Sequence, residues 1–182
     1  MSKPPWLSYV YSALKQEGNN DSSRWIQLAT IGLDNTPRVR TVVFRGWSES
    51  CEMEILSDKR SQKFFELESN NNVEICWLFA KSKCQFRFRG TSKLDLGIDN
   101  DRYWQQLNDK TKSMWNWPHP GDHFELINND DFLKTKNLKK TVNFILLKIN
   151  ITHVDQLILN EPIHFRRQWI KNRFWIEERI NP

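Results

Sequence analysis

The segment Ser57-Asp58-Lys59-Arg60-Ser61-Gln62-Lys63 gathers hydroxyl, carboxylate and cationic side chains in one short run. It follows a β-type stretch and precedes Phe64 and Leu67, spaced for the apolar face of a short helix. A strand-to-helix junction attracts anions, because the first N–H groups of a helix lack intrahelical partners and the dipole is positive there. With Asp58 as the N-cap, the free N–H groups belong to residues 59 to 61, and the Ser61 hydroxyl and Lys63 ammonium converge on the same region. A phosphate suits this arrangement. An ordinary capped helix with solvated Lys59 and Arg60 suits it equally well.

The run Arg38-Val39-Arg40-Thr41-Val42-Val43-Phe44-Arg45 puts Arg40 on the strand face of Val42 and Phe44. A guanidinium among apolar neighbours needs an acceptor, either a ligand phosphate or an internal carboxylate. In Lys83-Cys84-Gln85-Phe86-Arg87-Phe88-Arg89 the apolar side chains alternate strictly with polar ones, which turns Gln85 toward a wet cavity. Glycine-rich dinucleotide and P-loop motifs, H-E-x-x-H and G-x-S-x-G are all absent from the sequence. His119 and His123 flank Pro120-Gly121-Asp122, which breaks the helix that would align them on a metal, so no metal is expected.

These residues need a scaffold of short strands. Trp6 to Glu17 reads as a helix stopped by Gly18, and Trp25 to Leu33 and Arg38 to Trp47 as a hairpin about Asp34-Asn35-Thr36-Pro37. Met53 to Leu56, Val73 to Ala80, Cys84 to Leu94, Thr141 to Ile151, Val154 to Leu159 and Phe174 to Ile180 supply further strands. Ser61 to Glu68 and Asp99 to Leu107 read as helices, and Met114 to His123 as an irregular loop. Hairpin-length connections and few helices favour a mainly β fold, an antiparallel sheet closed into a small barrel with flanking helices.

Composition agrees. In 182 residues, 38% are hydrophobic and only 6 are Gly and 7 Pro, which excludes disordered and collagenous chains and leaves room for one domain over residues 1–182. Nine Trp and eleven Phe suit sheet faces and the walls of a ring-binding pocket. Cys51, Cys76 and Cys84 cannot all pair with one another and read as small packed thiols. The net charge of +5 favours anionic partners without separating nucleic acid from a phosphorylated small molecule. No run is apolar for long enough to span a membrane, and the first residues lack the apolar core of a secretion signal, so a cytoplasmic protein is expected.

Taken in order, several pieces carry a family likeness: Arg40-Thr41-Val42-Val43-Phe44-Arg45, Leu56-Ser57-Asp58 leading into Arg60-Ser61-Gln62-Lys63, Asn72-Val73-Glu74-Ile75 and Gln85-Phe86-Arg87-Phe88-Arg89-Gly90. To these add Pro5-Trp6, the Trp117-Pro118-x-Pro120-Gly121 loop, Val154, Leu157 and Arg166-Arg167. The chain resembles a short branch of the pyridoxamine 5'-phosphate oxidase-related, FMN-binding split-barrel proteins over nearly its whole length. The resemblance implies a six-stranded antiparallel split barrel and FMN bound at a homodimer interface by both subunits. Arg40, Ser61 and Lys63 would hold the phosphate, with Gln62 at the place of a second arginine in the family's S-R-K pattern. Val42, Val43, Leu56 and Ser57 would lie along the isoalloxazine, and Gln85 would reach the flavin or ribityl. A C-terminal arginine, taken as Arg167 rather than the adjacent Arg166, would approach the ring.

The departures concern substrate. Arg45 and Tyr103 match vitamin-binding positions, whereas Leu157 stands for a flavin-contacting tryptophan, and Ile163 and Phe165 stand for an arginine and a histidine that grip the vitamin phosphate. The expected function is therefore an FMN-dependent oxidoreductase acting on an unidentified small molecule, with no catalytic acid or base assigned. The alternative is a protein that holds FMN or a related phosphorylated ligand without turnover. A nucleic-acid-binding barrel using Lys134, Lys136, Lys139, Lys140 and the Arg166 to Arg173 cluster is a third reading, set below these because such lysines read as a solvated helix face. Neither nucleic acid nor membrane is the expected partner.

Overall fold

Trp6, Leu7, Val10 and Ala13 fall on one face of helix α1 (Trp6–Glu17), and all four are buried. Gly18, at φ 78°, ends the helix where a side chain would be strained. The computed structural model describes residues 3–18, 20–123 and 138–182. Strands β1 (Trp25–Ile31), β2 (Pro37–Trp47) and β3 (Met53–Asp58) form an antiparallel meander, followed by helix α2 (Gln62–Ser69). Strands β4 (Asn72–Phe79) and β5 (Cys84–Asp95) form a hairpin, followed by helices α3 (Ile98–Gln106) and α4 (Asp109–Ser113). Strands β6 (Phe144–Ile158), β7 (Phe165–Ile170) and β8 (Glu177–Ile180) complete the sheet.

The sheet order is β3-β2-β1-β4-β5-β6-β7-β8, and β3 also pairs with β6. That pairing closes β1 to β6 into a six-stranded antiparallel barrel and leaves β7 and β8 as an extension. Alternation fills the interior: Ile26 and Leu28 on β1, Ile75 and Trp77 on β4, and Phe86 and Phe88 on β5 are fully buried. Trp6 of α1 joins this core, its ring centroid 5.3 Å from Trp47 and 5.8 Å from Phe88. A second, smaller core of Trp104, Trp115 and Phe144 lies outside the barrel and packs against Leu56 and Tyr103.

Four sequence expectations change. Residues 141–151 and 154–159 are one strand, β6, because Gly90 and Arg89 of β5 pair with Ile151 and His153 and leave Thr152 as a bulge. Only glycine fits at position 90, where a Cβ would meet the Asn150 carbonyl oxygen. The terminal strand covers only Glu177–Ile180, since Phe174 and Trp175 take left-handed conformations after a 3-10 turn. Strand β7 and helix α4 were not expected at all. Among the described residues, no helix is long and apolar enough to cross a membrane.

Candidate functional site

Arg40 leaves β2 opposite Leu28 and crosses β1 to reach α2. One terminal nitrogen donates to Glu66 Oε2 at 2.5 Å, and the other to Thr30 Oγ1 and to the Leu28 carbonyl. Glu66 is fully buried, and Thr30 donates to the same carboxylate oxygen at 2.6 Å. The internal carboxylate that could satisfy Arg40 therefore exists, while a quarter of the arginine side chain stays exposed for a second partner.

That exposed side belongs to a cationic corner. Lys63 Nζ donates to Ser61 Oγ at 3.0 Å, and Ser61 Oγ donates to the Asp58 carbonyl at 2.6 Å. Burial, and then the nearby Arg40 charge, push the Lys63 ammonium below the ordinary lysine range, against the pull of Asp58 and Glu66. Ser61 is the N-cap of α2 and makes no side-chain cap bond. Two like charges beside an uncapped helix start are relieved by an anion, so Arg40, Ser61 and Lys63 fit the phosphate of FMN on geometry and charge.

The expected role of Asp58 is corrected here. Asp58 does not cap α2, and the N–H groups of residues 59 to 61 are not free. Lys59 N–H donates to the Asn143 carbonyl, Arg60 N–H to Asp58 Oδ1, and Ser61 N–H to the Asp58 carbonyl. Arg60 does not replace the missing second arginine either. Its guanidinium is committed to Asp58 and to the carbonyls of Trp115 and Trp117, which ties the loop after α4 to the end of β3. Gln62 is exposed at the first position of α2.

Along the stretch expected to face the ring, Val42 points into the barrel and Val43 out of it, half-buried. Leu56 packs on the small tryptophan core. Ser57 is buried, with an unpartnered hydroxyl, and its carbonyl accepts the Trp115 indole N–H at 2.9 Å. Gln85 pairs across the sheet with Leu157, which pairs in turn with Arg166, so the three share the outer face. Arg166 and Arg87 both bind the buried Asp155. Arg167 lies on the opposite face, its guanidinium 3.6 Å over the Tyr9 ring, with Nε donating to Gln156 Oε1 at 2.7 Å. The expected grouping of Arg167 with Gln85 is thus not the arrangement found. Register puts Arg166 on that face.

Arg45 and Tyr103 do come together. Tyr103 Oη donates to Glu54 Oε2 at 2.6 Å, and burial together with that bond raises the phenol above its ordinary range, against the pull of Arg102 and Arg45. Burial, then the Arg24 charge, depress Arg45. Sequence reasoning missed Glu54, Glu66, Thr30, Asp155 and Trp115, whose roles arise only from cross-strand and helix-to-sheet contacts. One signal was available for Glu66: it lies one turn after Lys63 and between Phe64 and Leu67, where an amphipathic helix faces its core.

Residues 3–95 match the family described as pyridoxamine 5'-phosphate oxidase, FMN-binding domain. The chain belongs to that family. FMN is accordingly its cofactor. Pyridoxine/pyridoxamine 5'-phosphate oxidase 2 of Arabidopsis thaliana is 29% identical over 192 residues, spanning 98% of this chain and 97% of the relative. The crystal structure of a pyridoxamine 5'-phosphate oxidase-related, FMN-binding protein from Nostoc punctiforme PCC 73102 superposes over the whole of both chains, with TM-score 0.90 and 30% identity. PhzG from Burkholderia lata 383, solved with tetrahydrophenazine-1-carboxylic acid, shares the fold at TM-score 0.83 and 16% identity, covering 100% of this chain and 94% of its own. In this member of the family, Arg40, Ser61 and Lys63 converge at the start of α2. The third functional reading loses ground as well. Lys134 and Lys136 lie outside the described residues, and Arg166, Arg167 and Arg173 are engaged by Asp155, Glu177 and Glu178.

Proposed function

We propose that the chain is an FMN-dependent oxidoreductase of the pyridoxamine 5'-phosphate oxidase-like type, working as a homodimer whose flavin sites draw on both subunits. The observation that carries this reading is the cationic corner: Lys63 and Arg40 repel one another beside Ser61 at an uncapped helix start. Arg40, Ser61 and Lys63 would bind the FMN phosphate. Val42, Val43, Leu56 and Ser57 would line the ring, and Gln85 would reach it or the ribityl chain. Arg166, on the Gln85 face, is better placed by register than Arg167 to join them. Bound FMN supplies a hydride acceptor at N5. The protein's own part is to hold the ring and exclude water around the substrate.

The first test is the spectrum of freshly purified protein, expected to show flavin bands near roughly 370 and 450 nm. Colourless protein whose melting temperature does not respond to added FMN would count against the proposal. Turnover with pyridoxamine 5'-phosphate and dioxygen is expected to stay below a kcat/KM of about 10⁴ M⁻¹s⁻¹. Ile163 is exposed and Phe165 lies near the Arg167 and Arg179 guanidiniums, and neither an aliphatic nor a phenyl side chain has a donor for the vitamin phosphate. The same two residues favour the reading of FMN binding without turnover. Anaerobic mixing separates the two, since a substrate that bleaches the bound flavin establishes an oxidoreductase.

A further inference from the structure

Glu54 stands on β3 directly opposite Gly46 of β2 and Lys148 of β6, and is almost fully buried. A Cβ on Gly46 would lie 3.3 Å from Tyr103 Oη and 3.7 Å from Glu54 Oε2, so the phenol and carboxylate rest over the bare strand. Tyr103 Oη gives its proton to Glu54 Oε2 at 2.6 Å. A phenol has one proton, and toward any ligand this one offers only lone pairs. Among the described residues, the other Glu54 oxygen has no hydrogen-bond partner. Lys148 does not reach it, being held by Asp95 at 2.7 Å and Asp99 at 2.5 Å. Arg102 stands 3.8 Å away and is shared with Asp99. Arg45 is a further cation, half-buried, whose Nε has no partner among the described residues.

We infer that Glu54 is the specificity-determining residue of the site beside Tyr103 and Arg45, and that it turns this site from a phosphate ester toward an unphosphorylated, uncharged group that donates a hydrogen bond, an alcohol. This rests on the proposed function, together with the family resemblance that puts Arg45 and Tyr103 at vitamin-binding positions. A phosphate placed there meets Arg45, but it also finds a phenol whose proton is given to Glu54 and a buried carboxylate behind it. A hydroxyl donates to the Tyr103 lone pair and brings no charge against either Glu54 or Arg45. Glu54 acts by exclusion, from a place in the fold separate from Ile163 and Phe165.

The test is calorimetric titration of FMN-loaded protein with pyridoxamine and with pyridoxamine 5'-phosphate. Wild type is expected to bind pyridoxamine at least about tenfold more tightly than the ester, the size of one hydrogen bond to a charged group. Glu54→Val frees the phenolic proton and should reverse the preference. Glu54→Gln keeps the shape and an acceptor while removing the charge, and should move the ratio part of the way. Tyr103→Phe should weaken pyridoxamine and leave the ester unchanged in wild type, yet weaken the ester once Glu54 is Val. Equal or tighter binding of the ester by wild type, or a ratio that Glu54→Gln leaves untouched, overturns the inference and spares the proposed function. Protein that loads FMN but binds neither compound removes the substrate site and this inference with it, and protein that takes no FMN removes the proposed function itself.

Discussion

Arg40 serves a buried carboxylate and, in the proposed site, a phosphate as well, so truncating it has two separable consequences. Arg40→Ala is expected to weaken FMN by about 1.5–3 kcal/mol, the value of a hydrogen bond to a charged group. It also strips Glu66 of its cation, with a stability loss toward the low end of the roughly 3–5 kcal/mol that breaking a buried pair costs, because Thr30 still donates to Glu66. Combining Arg40→Met with Glu66→Leu should restore most of the stability and none of the affinity, as read by urea unfolding and flavin-fluorescence titration. If affinity returned with stability, Arg40 would be a structural residue only. Lys63 gives a pH prediction. A lysine depressed below its ordinary value of 10.5 binds fewer protons folded than unfolded. Apo stability therefore rises with pH between the lowered value and 10.5. A bound phosphate raises Lys63 again, so binding takes up a proton and FMN affinity should fall as pH rises through the same window. Lys63→Met should flatten both profiles, and profiles unchanged in that variant would place the titration elsewhere. At this scale the residue types were legible in the sequence: Arg40, Ser61 and Lys63 are brought together as expected, while Asp58 was misassigned because its carboxylate turns back to the Arg60 N–H and guanidinium, a local choice that spacing does not encode.

The end of β3 is fixed by elements that the chain reaches much later. The Trp115 indole N–H bonds the Ser57 carbonyl, and Arg60 bonds the carbonyls of Trp115 and Trp117, so α3, α4 and the loop after them clamp the β3-to-α2 junction. Trp115→Phe keeps the bulk of the small core and orphans the Ser57 carbonyl, with an expected stability loss of about 1–3 kcal/mol. Trp115→Ala adds a cavity beside Trp104 and Phe144 and should cost about 3–5 kcal/mol. In both, hydrogen exchange at Arg60 and Ser61 should accelerate more than at β1. Uniform acceleration would mean that the clamp contributes only to global stability. Strand alternation made β1, β2, β4 and β5 readable. Strand β7 was not readable, because Arg166 and Arg167 look like a solvated pair until Asp155 and Tyr9 are found on opposite sides of them. Strand β6 looked interrupted at Thr152 and His153 because a bulge depends on Gly90, which is far away in sequence.

Across the whole molecule, closing β3 against β6 leaves one broad sheet face with no layer over it among the described residues. On β2, β1 and β4 that face presents Val39, Trp25 and Leu78, which are 71%, 52% and 57% exposed, and the ladder continues from Leu78 to Gln85, Leu157 and Arg166. Large apolar groups in register with proposed flavin contacts are the pattern of a surface completed by a second copy, and a stable pair needs about 800 Å² from each partner. Wild type is expected to be a dimer at micromolar concentration by light scattering. Leu78→Asp puts a carboxylate in the middle of the face without disturbing the barrel interior, because the side chain already points outward. It should give a monomer of unchanged far-UV spectrum whose FMN affinity falls at least tenfold. Leu33→Asp, equally exposed but in the β1–β2 turn, should change neither property. Linkage supplies a second reading: if each flavin site needs both subunits, FMN drives association, and the apparent FMN affinity of Leu78→Asp should recover as protein concentration rises. A monomeric variant that binds FMN as wild type does, at every protein concentration, would show that one subunit suffices and that the apolar face serves another purpose.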